Sequence, residues 1–466
     1  MPILTVNGRR MPARRGEVLS TVLTREGIYT PHPCGGRGVC QKCTVVVDGV
    51  PRLSCQYVVT HDVSVTLSEP APAVSLSSAP DADEWPENFC YVLDLGTTTL
   101  ALAALSPEDG RVLRTVAAAN PQTAFGADVM SRITYCRHHG VAPLQRPLIE
   151  CINALLRQLG GRHAPVLYVA GNTTMLHLLL GVDCSSMGVA PWTPAFTEER
   201  RVEARALGVR GVDFVHTLPC LSAFVGADAL AGINRVGVSP AGGYRLLIDL
   251  GTNAEMLLFS NTKLFYTSAA AGPCFEGGII SCGMSATVGA IDSYADGRYH
   301  TVGDAPAAGL CGTGLIDVIE DLVRRGIIDE AGHLEGAAFV IAPGVTLTQE
   351  DVHQYQLAKS AVCAAVLALL DEAGVRPEQL EQVFLAGGFS LGFNVQKAIQ
   401  TGLLPAAFTD KCLSCGNTSL KGAVRFACGQ TEWAPLMKGA RHVDLTTHPR
   451  FSERYFSGMS LCPCKE

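Results

Sequence analysis

The sequence predicts an α/β protein of several domains. Three observations predict it: β-rich runs alternate with helix-period segments from Phe89 onward, an Asp-Leu-Gly-Thr repeat closes two of those runs, and a small cysteine-bearing unit is set apart by a proline-rich stretch. The chain has 466 residues, room for about three domains at roughly 150 residues each. Lys and Arg total 36 against 43 Asp and Glu, a net charge of −7. That balance gives no reason to expect a nucleic-acid or acidic-membrane partner. Hydrophobic residues make up 47% and charged residues 17%, enough for large cores and unlike a disordered chain. The longest strongly apolar stretch, 361–370, is ten residues, too short for a membrane helix of about 20. The opening MPILTVNGRRMPARRG lacks a signal-peptide core. A soluble cytoplasmic protein is the expectation.

The boundaries follow composition. Residues 1–69 hold seven Arg and one Lys against five acidic residues, a net of +3, so the remainder carries −10. The stretch 69–88, with four prolines and few large apolar residues, reads as a linker; 20 flexible residues reach about 25 Å. Beyond it, strands are expected at 90–96, 165–171, 244–251 and 381–388, and helices at 146–160, 314–326 and 348–374. The expected domains are 1–68, the linker 69–88, 89–238 and 239–466.

Eighteen cysteines in an intracellular chain point away from disulfides. Four lie between Cys34 and Cys55, five between Cys412 and Cys464, and nine are scattered; scattered ones are mostly small buried hydrophobes, whereas clustered ones suggest metal. Cys34, Cys40, Cys43 and Cys55 are spaced C-x5-C-x2-C-x11-C, with Gly35, Gly36 and Gly38 in the first loop. Three thiolates converging from one loop need such a tight, glycine-rich path. The plant-type 2Fe–2S pattern is C-x4-C-x2-C with a distant fourth Cys; here the first gap is one residue longer and the last ligand is close. The flanks, strand 3–6, helix 17–27, strand 43–49 and strand 62–69, fit a β-grasp ferredoxin. A zinc site is the alternative, but it pairs C-x2-C with a second such pair or with histidines, and 1–69 has neither. The spacing favours a 2Fe–2S cluster.

Asp94-Leu95-Gly96-Thr97-Thr98-Thr99 returns as Asp249-Leu250-Gly251-Thr252-Asn253-Ala254. Each copy ends an apolar strand and precedes another. Such a hairpin turn exposes backbone N–H groups that, with threonine hydroxyls, cradle phosphate oxygens, while the Asp holds Mg²⁺, usually through water. One copy would be a common hairpin signal, and two unrelated structural hairpins are the alternative. At 385–390, LAGGFS runs a strand into Gly387 and Gly388, a pair that lets the backbone approach an adenosine. The order of these motifs resembles the actin-like ATPase and sugar-kinase superfamily, which implies two ribonuclease-H-like halves with ATP between them.

The whole chain resembles the reductive activators of corrinoid proteins. Besides the motifs above, the resemblance rests on FGADVMSRI (125–133), VAGNTTMLHLLLG (169–181), AGPCFEGG (271–278), GLCGTGLIDVI (309–319), LTQEDVHQYQLAK (347–359) and GNTSLKGA (416–423). It implies ATP-driven, one-electron reduction of a partner's Co(II) corrinoid to Co(I) by the cluster, uphill because the cobalt couple lies below that of a plant-type centre. It adds Asn172 and Gly312 to the cofactor-binding set. Residues 125–132 and 172–175 either face the cleft or the corrinoid, or pack between the halves. A corrinoid protein, an external low-potential electron donor and a second copy of the chain are the implied partners. Larger members carry a middle domain, and the reading here is that the linker replaces it. Cys412, Cys415, Cys428, Cys462 and Cys464 either hold a second metal or are free thiols. A small-molecule kinase, or a nucleotide-regulated electron carrier of unknown target, is the competing function.

Overall fold

Local turn chemistry organises the first domain. In a computed structural model of the chain, which describes residues 1–26, 28, 30, 38, 43–67, 85–126, 128–387 and 392–464, strands Ile3–Val6 and Arg9–Pro12 meet at Asn7-Gly8, and Thr44–Val47 and Val50–Leu53 at Asp48-Gly49. All four turn residues have positive φ, between 44° and 85°, the geometry of tight hairpins. Val63–Thr66 runs parallel to Ile3–Val6 between the two hairpins, giving a five-stranded sheet. Helix Leu19–Arg25 covers it, with Leu19, Val22 and Leu23 buried against Leu4, Val6, Val45, Val47, Val63 and Val65. This is the expected β-grasp. The helix begins two residues later than 17–27 implies, because Glu17–Val18 pair with Val58–Val59.

The remaining chain builds one topology twice. In the first copy, strands Cys90–Leu95, Thr99–Leu105 and Val112–Ala119 form an antiparallel meander. Ala164–Gly171 and Val212–Thr217 then add in parallel on the other side of the first strand. In the second copy, Arg245–Leu250, Ala254–Phe259 and Leu264–Ala269 form the meander, and Gln382–Ala386 and Cys412–Gly416 add in parallel. The five strands shared by the two six-stranded sheets run in the order 3-2-1-4-5, the ribonuclease-H-like arrangement of an actin-like fold. The chain divides into two compact units, Met1–Leu218 and Pro219–Glu466.

Packing explains the buried runs. In the second copy Leu246, Ile248 and Leu250 point to one face with Met256 and Leu258, and Leu247 points to the other with Leu257 and Phe259. Both faces are covered, so the strands read as continuous hydrophobic runs. Helix Gln349–Ala373 lies on the first face, and the apolar stretch at 361–370 is buried core. Thr348 and Asp351 form its capping box and Gly374 its left-handed end. No helix among the described residues is long and apolar enough to cross a membrane.

Helix Thr173–Leu180 is held by a neutral histidine. His177 is fully buried; its Nδ1 donates to the Thr173 carbonyl (2.8 Å), its Nε2 accepts from Ala195 N–H (3.1 Å), and its ring stacks on Phe196. Burial lowers its pKa from 6.5, and Arg200 adds to the effect. The unfolded chain therefore binds this proton first, so the stability due to His177 is complete above about pH 6.5 and is lost as pH falls below it. Thermal melts between pH 7.5 and 5 should show His177→Phe less stable than wild type at neutral pH but less sensitive to acid; equal acid sensitivity would contradict this role.

Candidate functional site

Both repeats form the expected strand–turn–strand hairpins. The first turn, Gly96-Thr97-Thr98, has all three carbonyls tied back into the protein. Asn120 Nδ2 donates to Gly96 O at 2.8 Å, Arg132 Nη2 to Thr97 O at 2.6 Å, and Asn120 N–H to Thr98 O at 2.8 Å. Arg132 is fully buried and also donates to Gly126 O (2.9 Å) and Gln122 Oε1 (3.3 Å). Gln122 in turn donates to Leu144 O. A turn whose carbonyls are engaged on one side presents its N–H groups on the other, the requirement for an anion cradle. Asp94, partly exposed at the strand end, pairs in register with Ala170 of the neighbouring strand, and Gly171 with Leu95. Asn172 therefore follows beside the turn, where its side chain caps helix Thr173–Leu180 by accepting from Thr174 N–H.

The second turn is anchored differently. Thr252 donates its N–H and its hydroxyl to the two oxygens of Glu276, at 3.0 and 3.1 Å. Asp249 lies beside Ala386 in register, where the strand reaches Gly387 (φ 90°). A Cβ there would stand 2.9 Å from Asp249 Oδ1, so the close approach of that carboxylate requires glycine. Asp249, the second turn and Gly387 are thus brought together, whereas Gly388 lies outside the described residues. Gly312 is the buried first residue of helix Gly312–Arg324.

The two turns share an accessory element that the sequence reading missed. After the third strand of each meander the chain enters a short 3-10 helix opened by proline, Pro121–Ala124 in one and Pro273–Glu276 in the other. In the first, the residue before the proline, Asn120, serves the turn's carbonyls. In the second, the last residue, Glu276, serves its N–H. Each acts on a turn residue 24 positions upstream. Residues 125 and 132 separate: Phe125 packs on Tyr135, while Arg132 is the turn's buried clamp.

In the ferredoxin-like domain, Cys43 and Cys55 are buried with their sulfurs 3.2 Å apart and are not disulfide-bonded. Two thiolates on one tetrahedral metal with bonds of about 2.3 Å stand roughly 3.8 Å apart, so this pair fits two ligands of one iron after a small adjustment. Cys34 and Cys40 lie outside the described residues. The C-terminal cysteines disperse. Cys412 packs against the core on one face of the second sheet and Cys415 against the core on the other, which separates the C-x2-C pair. The segment bearing Cys462 and Cys464 lies instead along helix Gln349–Ala373, where Lys359 donates to Ser460 O and burial pulls its ammonium down to about 8. Among the described residues no group of three or more His, Cys, Asp or Glu gathers to hold a metal.

A ferredoxin-like domain with a paired-thiol pocket, followed by a doubled ribonuclease-H-like fold with two Asp-x-Gly-Thr turns, defines an iron–sulfur protein of the actin-like and sugar-kinase class. Family models divide the chain along these lines: a 2Fe-2S iron-sulfur cluster binding domain at 3–70, the RACo middle region at 89–240, and the C-terminal domain of RACo, the ASKHA domain, at 243–465. The chain belongs to the RACo family, the reductive activators of corrinoid proteins. The model of the family's middle region matches the residues of the first ribonuclease-H-like half. Over 419 residues the chain is 29% identical to the corrinoid activation enzyme RamQ of Eubacterium limosum, covering 79% of this chain and 69% of that one. It is 26% identical over 425 residues to the Co(II) methylated amine-specific corrinoid protein reductase of Methanosarcina barkeri, covering 80% and 77%. A solved reductive activator for corrinoid, iron–sulfur protein shares the fold with a TM-score of 0.73 at 24% identity, covering 100% of this chain and 99% of that one.

Two substitutions test this geometry. Cys43→Ala should abolish the visible spectrum of a 2Fe–2S cluster while leaving the second sheet folded by circular dichroism; retention of two iron and two sulfide per chain would contradict the ligand pair. Arg132→Leu should leave three carbonyl and amide acceptors without their donor, destabilise the fold by about 3 kcal/mol and weaken nucleotide binding at least tenfold. Unchanged nucleotide affinity in a folded Arg132→Leu chain would remove the clamp from the site.

Proposed function

We propose that the chain is an ATP-hydrolysing electron-transfer enzyme that reduces the Co(II) corrinoid of a partner protein to Co(I). The observation that carries the reading is the pair of Asp-x-Gly-Thr turns on a doubled ribonuclease-H-like fold, in one chain with a buried thiolate pair. Cys34, Cys40, Cys43 and Cys55 hold the 2Fe–2S cluster, which when bound supplies one-electron storage. Burial of Cys43 and Cys55 (1% and 8% exposed) shields it from water. Asp94 and Asp249 hold Mg²⁺ through water or orient the attacking water. The turns Gly96, Thr97, Thr98 and Thr99 and Gly251, Thr252 and Asn253 receive phosphate oxygens through N–H groups and threonine hydroxyls, with the Gly96 N–H itself closing the first hairpin onto Thr99 O. Gly387 and Gly388 give room to the adenosine, and Asn172 and Gly312 flank the nucleotide.

Energetics explain why ATP belongs to an electron carrier. A plant-type centre sits near −400 mV, and each 59 mV uphill opposes one-electron transfer by a factor of ten. Nucleotide binding can offset such a gap only if the chain binds its Co(II) partner differently in its nucleotide states. The domains are 1–68, carrying the cluster; 69–88, a tether; and 89–238 and 239–466, carrying the nucleotide. The partner is a corrinoid protein, an external low-potential donor reloads the cluster, a second copy of the chain is a further candidate partner, and the setting is the cytoplasm.

The test is anaerobic mixing of the intact chain with a Co(II) corrinoid protein and a reduced donor, with and without Mg-ATP, followed through the Co(I) absorption band. Co(I) should accumulate only with ATP, and Asp249→Ala should slow it at least a hundredfold. Equal rates without ATP, or in Asp249→Ala, would contradict the proposal.

A further inference from the structure

The two turns are not equivalent, and Glu276 makes the difference. In the first, Asn120 and Arg132 brace the turn from its carbonyl side. In the second, the accessory element delivers a carboxylate to the N–H and hydroxyl of Thr252. Those are the two donors that a phosphate oxygen pair would use, offered at the same lengths. The carboxylate is also close in front of the turn: a Cβ on Gly251 would stand 3.3 Å from Glu276 Oε1. The backbone opening that admits a phosphate is the one Glu276 occupies.

We propose that Glu276 is a displaceable intramolecular stand-in for phosphate, one that sets the affinity of the second turn for the terminal phosphates of a magnesium-bound nucleoside triphosphate. The inference rests on the reading of that turn as a phosphate site. While Glu276 is seated, the turn is held in shape but closed to simple anions such as inorganic phosphate, because a bound carboxylate repels a second anion and holds both donors. Mg-ATP can displace it because the metal cancels part of the charge and because adenosine and the other phosphates contribute binding energy elsewhere. The surrounding loop favours departure of the side chain alone. Ser281, five residues on, is pinned through its N–H and hydroxyl to the buried Asp351 carboxylate, both at 2.6 Å, and Asp351 also caps the long helix. The backbone of 273–281 is therefore anchored, and the three rotatable bonds of Glu276 carry the exchange.

Apparent affinity falls by the fraction of molecules whose site is open. If the seated state dominates by about ten to one, removing the carboxylate tightens nucleotide binding about tenfold. It also removes two charge-assisted hydrogen bonds from the turn, so stability must move the opposite way. That opposition separates a competitor from a structural staple, whose loss would weaken both.

The experiment is calorimetric titration of the intact chain with a magnesium-bound, non-hydrolysable ATP analogue and, separately, with pyrophosphate, on wild type, Glu276→Gln, Glu276→Asp and Thr252→Val. Glu276→Gln should bind the analogue about tenfold more tightly, bind pyrophosphate measurably, and melt at a lower temperature without ligand. Glu276→Asp, one methylene shorter, should fall between it and wild type. The gain should vanish when Thr252→Val is added, since it acts through that residue. Unchanged or weaker binding in a folded Glu276→Gln chain, with wild type binding normally, overturns the stand-in but leaves the nucleotide site intact. Failure of wild type and every variant to bind the analogue overturns both.

Discussion

A hairpin turn must be held in shape to receive phosphate, because a turn free to rotate its peptides offers the anion oxygen as readily as hydrogen. The first turn meets that constraint with Asn120 and Arg132, which between them accept no compromise in geometry: three donors on three successive carbonyls, all within 2.8 Å. Much of the first α/β half is arranged around this. Burying an arginine is expensive unless its donors are satisfied; helix Val129–His139 carries Arg132 inward, and Gly126 O and Gln122 Oε1 join Thr97 O as the acceptors that make it tolerable. The doubled fold then places the second turn in the same structural context, so the pair of strand ends, rather than any single side chain, is what the architecture maintains.

Duplication explains both what the halves share and where they part. Each meander ends in a proline-opened 3-10 helix that reaches back to its turn. Because a turn has two electrical sides, the same element can brace it from the carbonyl side or cap it from the N–H side, according to whether it supplies an amide or a carboxylate. One half is thereby braced from the carbonyl side and the other held from the N–H side.

The layout was legible where local chemistry decides it. The repeat marked both hairpins, and Thr348, Asp351 and Gly374 bounded the long helix as Gln349–Ala373 within a residue of the reading from sequence. Asp249 and Gly387 were legible because each closes an apolar strand. Strands Arg9–Pro12 and Val50–Leu53 were missed despite the Asn7-Gly8 and Asp48-Gly49 turns, since three of four side chains in the first are exposed and the apolar alternation that betrays a strand is absent. Asn120 and Glu276 were not assigned because their roles depend on contacts 24 residues away, which no local pattern encodes. The C-terminal C-x2-C looked like half of a metal site, yet it lies on a strand, where a spacing of three sends the two thiols to opposite faces.

The account's central claim is that nucleotide chemistry on these turns drives the electron uphill. The most direct measurement is phosphate release by the intact chain, followed in the same anaerobic cuvette as conversion of a partner's Co(II) corrinoid to Co(I). The account predicts that phosphate appears in step with Co(I) and slows as Co(II) is exhausted. Full conversion to Co(I) with no phosphate released would contradict it.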